Sequence, residues 1–187
     1  MSKRIEVLKI LAEGGFYSGE AIGQRLGVSR TAVWKAIKSL KDWGIDCHSV
    51  TGKGYRLAQS VELLSKAELV SAVAPELQAY LANLEILPAI DSTNRYLMEQ
   101  LPNQSEIGRV CLAEYQTAGR GRRGRDWVSP FGQNLCLSFY WRFDLNPAVL
   151  SGLGLAIAVA LIRAMEKIGI EDVQLKWPND VLWEGAK

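Results

Sequence analysis

Two folds in series are predicted from this sequence. A winged helix-turn-helix DNA-binding domain is expected over residues 1–60, followed over residues 65–187 by an α+β domain with a mixed, mostly antiparallel sheet and helices packed on one face. Three observations carry this expectation. The first 58 residues show three short amphipathic runs, punctuated by glycine and serine and followed by a hairpin pattern. Those residues hold ten lysines and arginines against five acidic residues, whereas the remainder holds twelve against fifteen, so a basic module precedes a mildly acidic body. After residue 65, long strand-like runs with few intervening helices suggest α+β layering.

In the N-terminal module, Ile5, Leu8 and Ala12 recur at helical spacing over residues 3–13, with Val7 and Leu11 widening the stripe, until Gly14-Gly15 ends the run. Ser18 is placed to cap a second helix bearing Ala21, Ile22 and Leu26. Gly27-Val28-Ser29 then forms a short turn, with Ser29 capping a third helix through about Asp42, and two helices joined this way make a helix-turn-helix. Leu26, Val33, Ile37 and Leu40 supply its core. The opposite face carries Arg30, Thr31, Trp34, Lys35 and Lys38, the side chains that a major groove would meet. Trp34 either reads a thymine methyl or packs against the wing. Runs from Ile45 to Val50 and Tyr55 to Leu57 flank Thr51-Gly52-Lys53-Gly54, a hairpin whose tip puts Lys53 near phosphate. A protein-interaction module with a solvated basic face is the alternative.

The second domain begins with a short helix after Ser65 that stops before Pro75. A strand is expected from Glu85 to Ile90, and a helix capped by Asp91-Ser92 through about Leu101. Arg109 to Gln116 reads as a strand, Leu135 to Phe143 as a second, buried strand, and Pro147 to Ile168 as a long apolar helix. Val173 to Trp177 is a further strand, turned by Pro178-Asn179-Asp180 into another at Val181-Leu182-Trp183.

The densest signal lies between the second and third of these strands. Gly119-Arg120-Gly121-Arg122-Arg123-Gly124-Arg125-Asp126-Trp127 places four guanidiniums among three glycines and ends on an indole. Guanidinium forks suit phosphate and carboxylate oxygens, and glycine lets backbone approach a ligand closely. The spacing matches a dinucleotide fingerprint, but in that fold the third glycine opens an apolar helix, and here Val128-Ser129-Pro130 follows instead. An anion-binding loop remains, and taken alone it reads first as a basic RNA-binding tract. Other chemistries are disfavoured. His48 is the only histidine, and Cys47, Cys111 and Cys136 form no spaced pair, so histidine triads, zinc sites and a disulfide framework are not expected. A content of 48% hydrophobic and 22% charged residues is that of a soluble globular chain. No apolar run is long enough to span a bilayer and no signal peptide is evident, so a cytoplasmic setting without membrane partners is expected.

Asp91-Ser92-Thr93-Asn94, the Gly119 to Trp127 loop and Lys176-Trp177-Pro178-Asn179-Asp180, in this order and spacing, resemble the biotin protein ligase family. With the winged helix in front, the whole chain resembles the bifunctional ligases that also repress a biotin operon, and the resemblance implies a class II synthetase-like catalytic fold over residues 65–187. It implies ATP and biotin as substrates, with Mg²⁺ as phosphate counter-charge. The biotin carboxylate attacks the α-phosphorus of ATP, pyrophosphate leaves, and a lysine ε-amine of a biotin carboxyl carrier protein then takes biotin from biotinyl-5′-AMP. Lys176 and Arg122 are implied as catalytic cations. Biotin contacts fall to Ser92, Thr93, Asn94, Gln116, Gly119, Arg120, Gly121, Arg122 and Lys176. ATP and adenylate contacts fall to Arg122, Arg123, Arg125, Trp127 and Asn179, with Asn179 or Asp180 in the magnesium shell. Trp127 either walls adenine or biotin, or belongs to the core.

DNA contacts are expected from Ser29, Arg30, Thr31, Trp34, Lys35, Lys38 and Lys53. One winged helix reads a half-site, so repression implies a homodimer on an inverted-repeat operator, formed when biotinyl-AMP is bound. Members of the family continue past the position of Trp183-Glu184-Gly185-Ala186-Lys187 with more sheet and a small β-barrel, so this sequence reads as a C-terminally truncated ligase. A non-catalytic DNA-binding regulator that senses ligand is the alternative function.

Overall fold

Serine caps set the second and third helices. The computed structural model describes residues 2–100, 107–121, 127, 129–144, 146–178 and 180–186. In it α1 spans Lys3–Ala12, α2 Gly19–Leu26 and α3 Arg30–Leu40. The Ser18 hydroxyl oxygen accepts from the Ala21 N–H at 3.0 Å, and that of Ser29 from the Ala32 N–H at 3.2 Å, each satisfying a donor that helix geometry leaves orphaned. Leu8, Leu11, Ile22, Val33 and Leu40 are fully buried between the three helices, while Leu26 lies at the edge of this core. The third helix ends earlier than expected: Lys41–Trp43 tightens into a 3-10 turn closed by Gly44 in the left-handed region at φ 73°.

The wing forms as the sequence implied. Strands β1 (Cys47–Val50) and β2 (Gly54–Leu57) pair antiparallel, and Tyr17 adds a third edge by exchanging both backbone hydrogen bonds with Tyr55, at 2.9 and 2.8 Å. That exchange requires glycine at position 54. Gly54 sits at φ 102°, and a Cβ there would lie 2.2 Å from the Tyr17 carbonyl oxygen.

The chain then builds α4 (Lys66–Ala72), capped by Ser65, and α5 (Pro75–Gln78), a short helix that the sequence pattern did not suggest. A mixed three-stranded sheet follows, in the order β3 (Leu84–Leu87), β4 (Arg109–Ala113), β5 (Cys136–Tyr140). β3 and β4 run parallel, and β4 and β5 antiparallel with Leu112 opposite Leu137. Helix α6 (Thr93–Gln100) provides the crossover from β3 to β4 and packs across β4 and β5. Its far end is tied down by Arg109, which donates to Glu85 at 2.8 Å and to Gln100, while the Tyr96 hydroxyl donates to Glu85 at 2.7 Å.

β5 corrects one expectation. The whole run from Leu135 to Phe143 was expected to be buried, but only the middle is strand and its burial alternates. Cys136 is buried on the helix-covered side, whereas Leu137 and Phe139 are each about half exposed on the other. β3 is also shorter than expected, ending at Leu87; Ile90 makes an isolated parallel bridge to Gln116 instead.

Contacts divide the chain into two compact units, Met1–Trp141 and Arg142–Lys187. In the second, Pro147–Gly152 is a 3-10 stretch rather than the start of the long helix, which is confined to α7 (Leu153–Lys167). Helix α7 packs on a hairpin of β6 (Val173–Lys176) and β7 (Asp180–Trp183), with Lys176 paired opposite Asp180. Among the described residues no helix is long and apolar enough to cross a membrane. Gly54→Ala is expected to lower stability by about 1–3 kcal/mol, read from urea denaturation, because both its dihedral and the Tyr17 contact forbid a side chain; an unchanged midpoint would contradict this packing.

Candidate functional site

The start of α6 is organised by a residue from another strand. Gln116 follows β4 in extended backbone, where the Thr117 N–H donates to the Ile90 carbonyl at 2.8 Å and the Ala118 N–H to the Asp91 carbonyl at 3.0 Å. These bonds bring the Asp91 to Asn94 turn alongside Gln116. The Gln116 side-chain oxygen then accepts from both the Thr93 N–H, at 2.8 Å, and the Thr93 hydroxyl, at 3.2 Å. Thr93 is 3% exposed, and its hydroxyl also lies 2.8 Å from that of Ser138 on β5. Helix, strand extension and β5 therefore meet at one partly buried, uncharged polar cluster, with Thr93 at its centre.

Asp91 and Ser92 serve the helix terminus. The Asp91 carboxylate accepts from the Ser92 N–H at 2.7 Å and pairs with Arg95 at 3.1 Å, while the Ser92 hydroxyl accepts from the Arg95 N–H at 3.4 Å. Ser92 is still partly exposed and Asn94 fully so, which leaves both side chains addressable from solvent.

An open cleft of about 350 Å³ lies over this cluster. Ser92, Thr93, Asn94 and Gln116 form one side, residues from Asn134 to Ser138 the other, and Arg120 and Trp127 stand on the rim. Gly119 is part of its construction, since a Cβ there would stand 3.3 Å from the Gln116 amide nitrogen and 3.4 Å from the Trp127 ring. Trp127 is thus a wall residue, 44% exposed, and does not join the core. The cleft combines a neutral donor–acceptor floor, apolar Leu135 and Leu137, one aromatic side and one guanidinium, which suits a small polar heterocycle carrying an anionic tail.

The expected residues divide accordingly. Ser92, Thr93, Asn94, Gln116, Arg120 and Trp127 come together, with Gly119 beside them. Gly121 is partly buried in the same loop. Arg122, Arg123, Arg125 and Asn179 lie outside the described residues. Lys176 belongs to the second unit, where it is exposed at the end of β6, just before Trp177-Pro178. Ser138 was missed by sequence reasoning; the signal was a serine within the otherwise apolar and aromatic run Leu-Cys-Leu-Ser-Phe-Tyr.

Glu114, two residues before Gln116, is buried, and desolvation pushes its carboxyl upward, opposed by the Leu64 N–H that donates to it at 2.6 Å. Burial, then the Asp46 charge, pushes the Cys47 thiol up to about 11. Burial, then Glu85, does the same for Cys111. Both thiols are therefore protonated at neutral pH and poor nucleophiles. Among the described residues no group of three or more histidine, cysteine or carboxylate side chains could hold a metal ion.

A second surface lies on the N-terminal module. Arg30, Thr31, Trp34, Lys35 and Lys38 are all exposed on the α3 face opposite Val33, Ala36, Ile37 and Leu40, and Ser29 is exposed at its cap. The Lys38 ammonium lies 5.2 Å from the Trp34 ring centroid, which places that indole on the basic face. Lys53 is exposed at the wing tip, and Lys53 and Arg56 stand 5.9 and 5.0 Å from the ring of Phe16.

Comparison with known proteins separates the same two regions. Residues 3–56 match the HTH domain. The chain is similar to the bifunctional ligase/repressor BirA of Salmonella typhimurium, at 46% identity over 177 residues, covering 95% of this chain and 53% of the relative. It is similar to the protein of that name from Escherichia coli K12 at 43% identity over 183 residues, covering 98% and 55%. It also matches the structure of a biotin protein ligase from Aquifex aeolicus in complex with biotin and ATP, at 38% identity and a TM-score of 0.44, covering 55% of this chain and 42% of that one. The chain spans about half the length of the curated relatives it matches. Residues 86–187, which hold both the Thr93–Gln116 cleft and the Lys176 hairpin, match the Biotin/lipoate A/B protein ligase family over more than half of the sequence, and the chain belongs to that family.

Proposed function

We propose that this chain carries the DNA-reading module and the biotin- and ATP-binding part of a bifunctional ligase and repressor. Residues 1–60 form the DNA-binding domain and residues 65–187 the catalytic domain. The observation that carries this reading is the partly buried, uncharged Thr93–Gln116–Ser138 cluster in a cleft that Arg120 also lines. Biotin's ureido ring needs neutral donors and acceptors in an otherwise apolar pocket, and its carboxylate needs a cation. Similarity to ligase/repressors over nearly the whole chain supports the same assignment.

In the reaction, the biotin carboxylate attacks the α-phosphorus of ATP and pyrophosphate departs. Two anions must meet in that step, so cations placed where charge accumulates carry the catalysis. Lys176 supplies one and Arg122 another, while Arg120, Arg122 and Arg123 fold over biotin and the phosphates and keep water from the adenylate, which Arg125 also contacts. Gly119 and Gly121 let this cover lie close to biotin. Trp127 stands against the adenine or the biotin rings, and Asn179 completes the adenylate contacts. Mg²⁺ would serve as counter-charge to the nucleotide phosphates, and Asn179 or Asp180, in the turn beside Lys176, would hold it. The lysine amine of a biotin carboxyl carrier protein then attacks the biotinyl carbonyl, and AMP leaves. Positioning supplies much of the rate, because the mixed anhydride is already activated.

On DNA, the exposed α3 face enters the major groove and the Lys53 wing meets phosphate. Each chain reads half of an inverted repeat, and biotinyl-AMP promotes the homodimer. The setting is cytoplasmic, where ATP, carrier protein and operator coexist.

Two outcomes are expected. Biotin-dependent ATP–pyrophosphate exchange is present in the wild type and falls by at least about 100-fold in Lys176→Ala; no exchange in the wild type, or undiminished exchange in the variant, would remove the assigned chemistry. Lys38→Ala weakens operator binding and flattens the plot of log affinity against log salt by about 0.9, the loss of one phosphate contact. An unchanged slope would take Lys38 off the phosphate-contacting face.

A further inference from the structure

Tyr115 joins the cleft to the winged helix. Its carbonyl accepts from the Ile90 N–H at 3.1 Å, and its neighbour Gln116 holds Thr93. Consecutive side chains in extended backbone leave on opposite sides. While Gln116 faces Thr93, the Tyr115 ring lies 6.5 Å from the ring of Trp43 and 6.4 Å from that of Phe131. Trp43 in turn stacks on Phe131 at 5.2 Å with 10° between planes. Phe131 is 4% exposed and sits in the same apolar cluster as Leu8, Ile22 and Leu40 of the winged helix.

Trp43 is held in place from within its own module. The Arg4 guanidinium lies 4.4 Å from its ring centroid, and Arg4 is fixed by Ser39 and Asp42 at 2.8 Å each. Trp43 follows α3 in the 3-10 turn, away from the exposed residues that face DNA, and is itself only partly buried. Its aromatic contacts go to the segments on either side of the cleft: Tyr115 before Gln116, and Phe131 before β5.

We propose that Trp43 is a positioning residue for biotin, acting through Tyr115 on Gln116. The proposal rests on the biotin reading of the cleft. The Trp43 stack fixes the pitch of the Tyr115–Gln116 segment, and with it the two bonds to Thr93. Linkage makes the effect mutual: biotin that needs Gln116 in this position tightens the stack against the winged helix.

Calorimetric titration of the full chain with biotin tests this, with folding of each variant checked by circular dichroism. Trp43→Ala is expected to weaken biotin binding by about 5- to 10-fold, and Trp43→Phe to restore it to within about 2-fold. In a Gln116→Ala background, Trp43→Ala adds less than about 2-fold, because the route through Gln116 is already cut. Should the alanine variant unfold, Trp43→Leu, which keeps apolar bulk without the stack, is expected to show the same loss. Wild-type binding that Trp43→Ala or Trp43→Leu leaves unchanged, or losses that multiply fully with Gln116→Ala, would overturn the positioning role alone. A wild type that binds no biotin would overturn the ligand as well.

Discussion

The Gln116 side-chain oxygen accepts two hydrogen bonds from Thr93, and the geometry of the cleft follows from that pairing. A net hydrogen bond contributes only about 0.5–1.5 kcal/mol, but leaving a buried partner unmade costs about 1–3 kcal/mol. Thr93 is almost wholly buried, so Gln116 cannot swing away cheaply. With its oxygen committed, the amide nitrogen faces Gly119, where a side chain would crowd it. One residue thus sets the start of α6, the inner wall of the glycine–arginine loop and the donor left for a ligand.

The rest of the first unit holds that residue in place. β4 is buried along its whole length and positions Glu114, Tyr115 and Gln116 at its end. Arg109 and Glu85 anchor the far end of α6, so the helix is fixed at both termini. Ser138 closes the cluster from β5. On the other side of the Tyr115 backbone, the winged helix contributes Trp43. The winged helix and the cleft are thereby built on one continuous packing: Val61 and Leu63 of the connecting segment join the winged-helix cluster.

Much of this was legible in the sequence, for identifiable reasons. Ser18, Ser29 and Ser65 announced helix starts because caps are local chemistry. The wing followed from glycine placement, and the convergence of Ser92, Thr93, Asn94 and Gln116 from their places where a strand meets a helix or loop. What was not legible depends on tertiary contact. β5 reads as an uninterrupted apolar run, so its sidedness appears only once α6 covers one face. Pro147–Gly152 and α7 read as one apolar run, although Ser151-Gly152 stands where the 3-10 stretch becomes α-helix. The Trp43–Phe131 stack links residues far apart in sequence, each of which reads as ordinary core when taken alone.

Biotin is proposed to occupy the cleft organised by Gln116 and Thr93. Hydrogen–deuterium exchange of the chain with and without saturating biotin tests it most directly. Slowed exchange is predicted at the backbone amides of Thr93, Asn94, Gln116, Thr117 and Ala118, with the exposed α3 residues Thr31, Trp34 and Lys35 unaffected. Protection confined to other segments, with residues 91–94 and 116–118 exchanging as in the free protein, would contradict it.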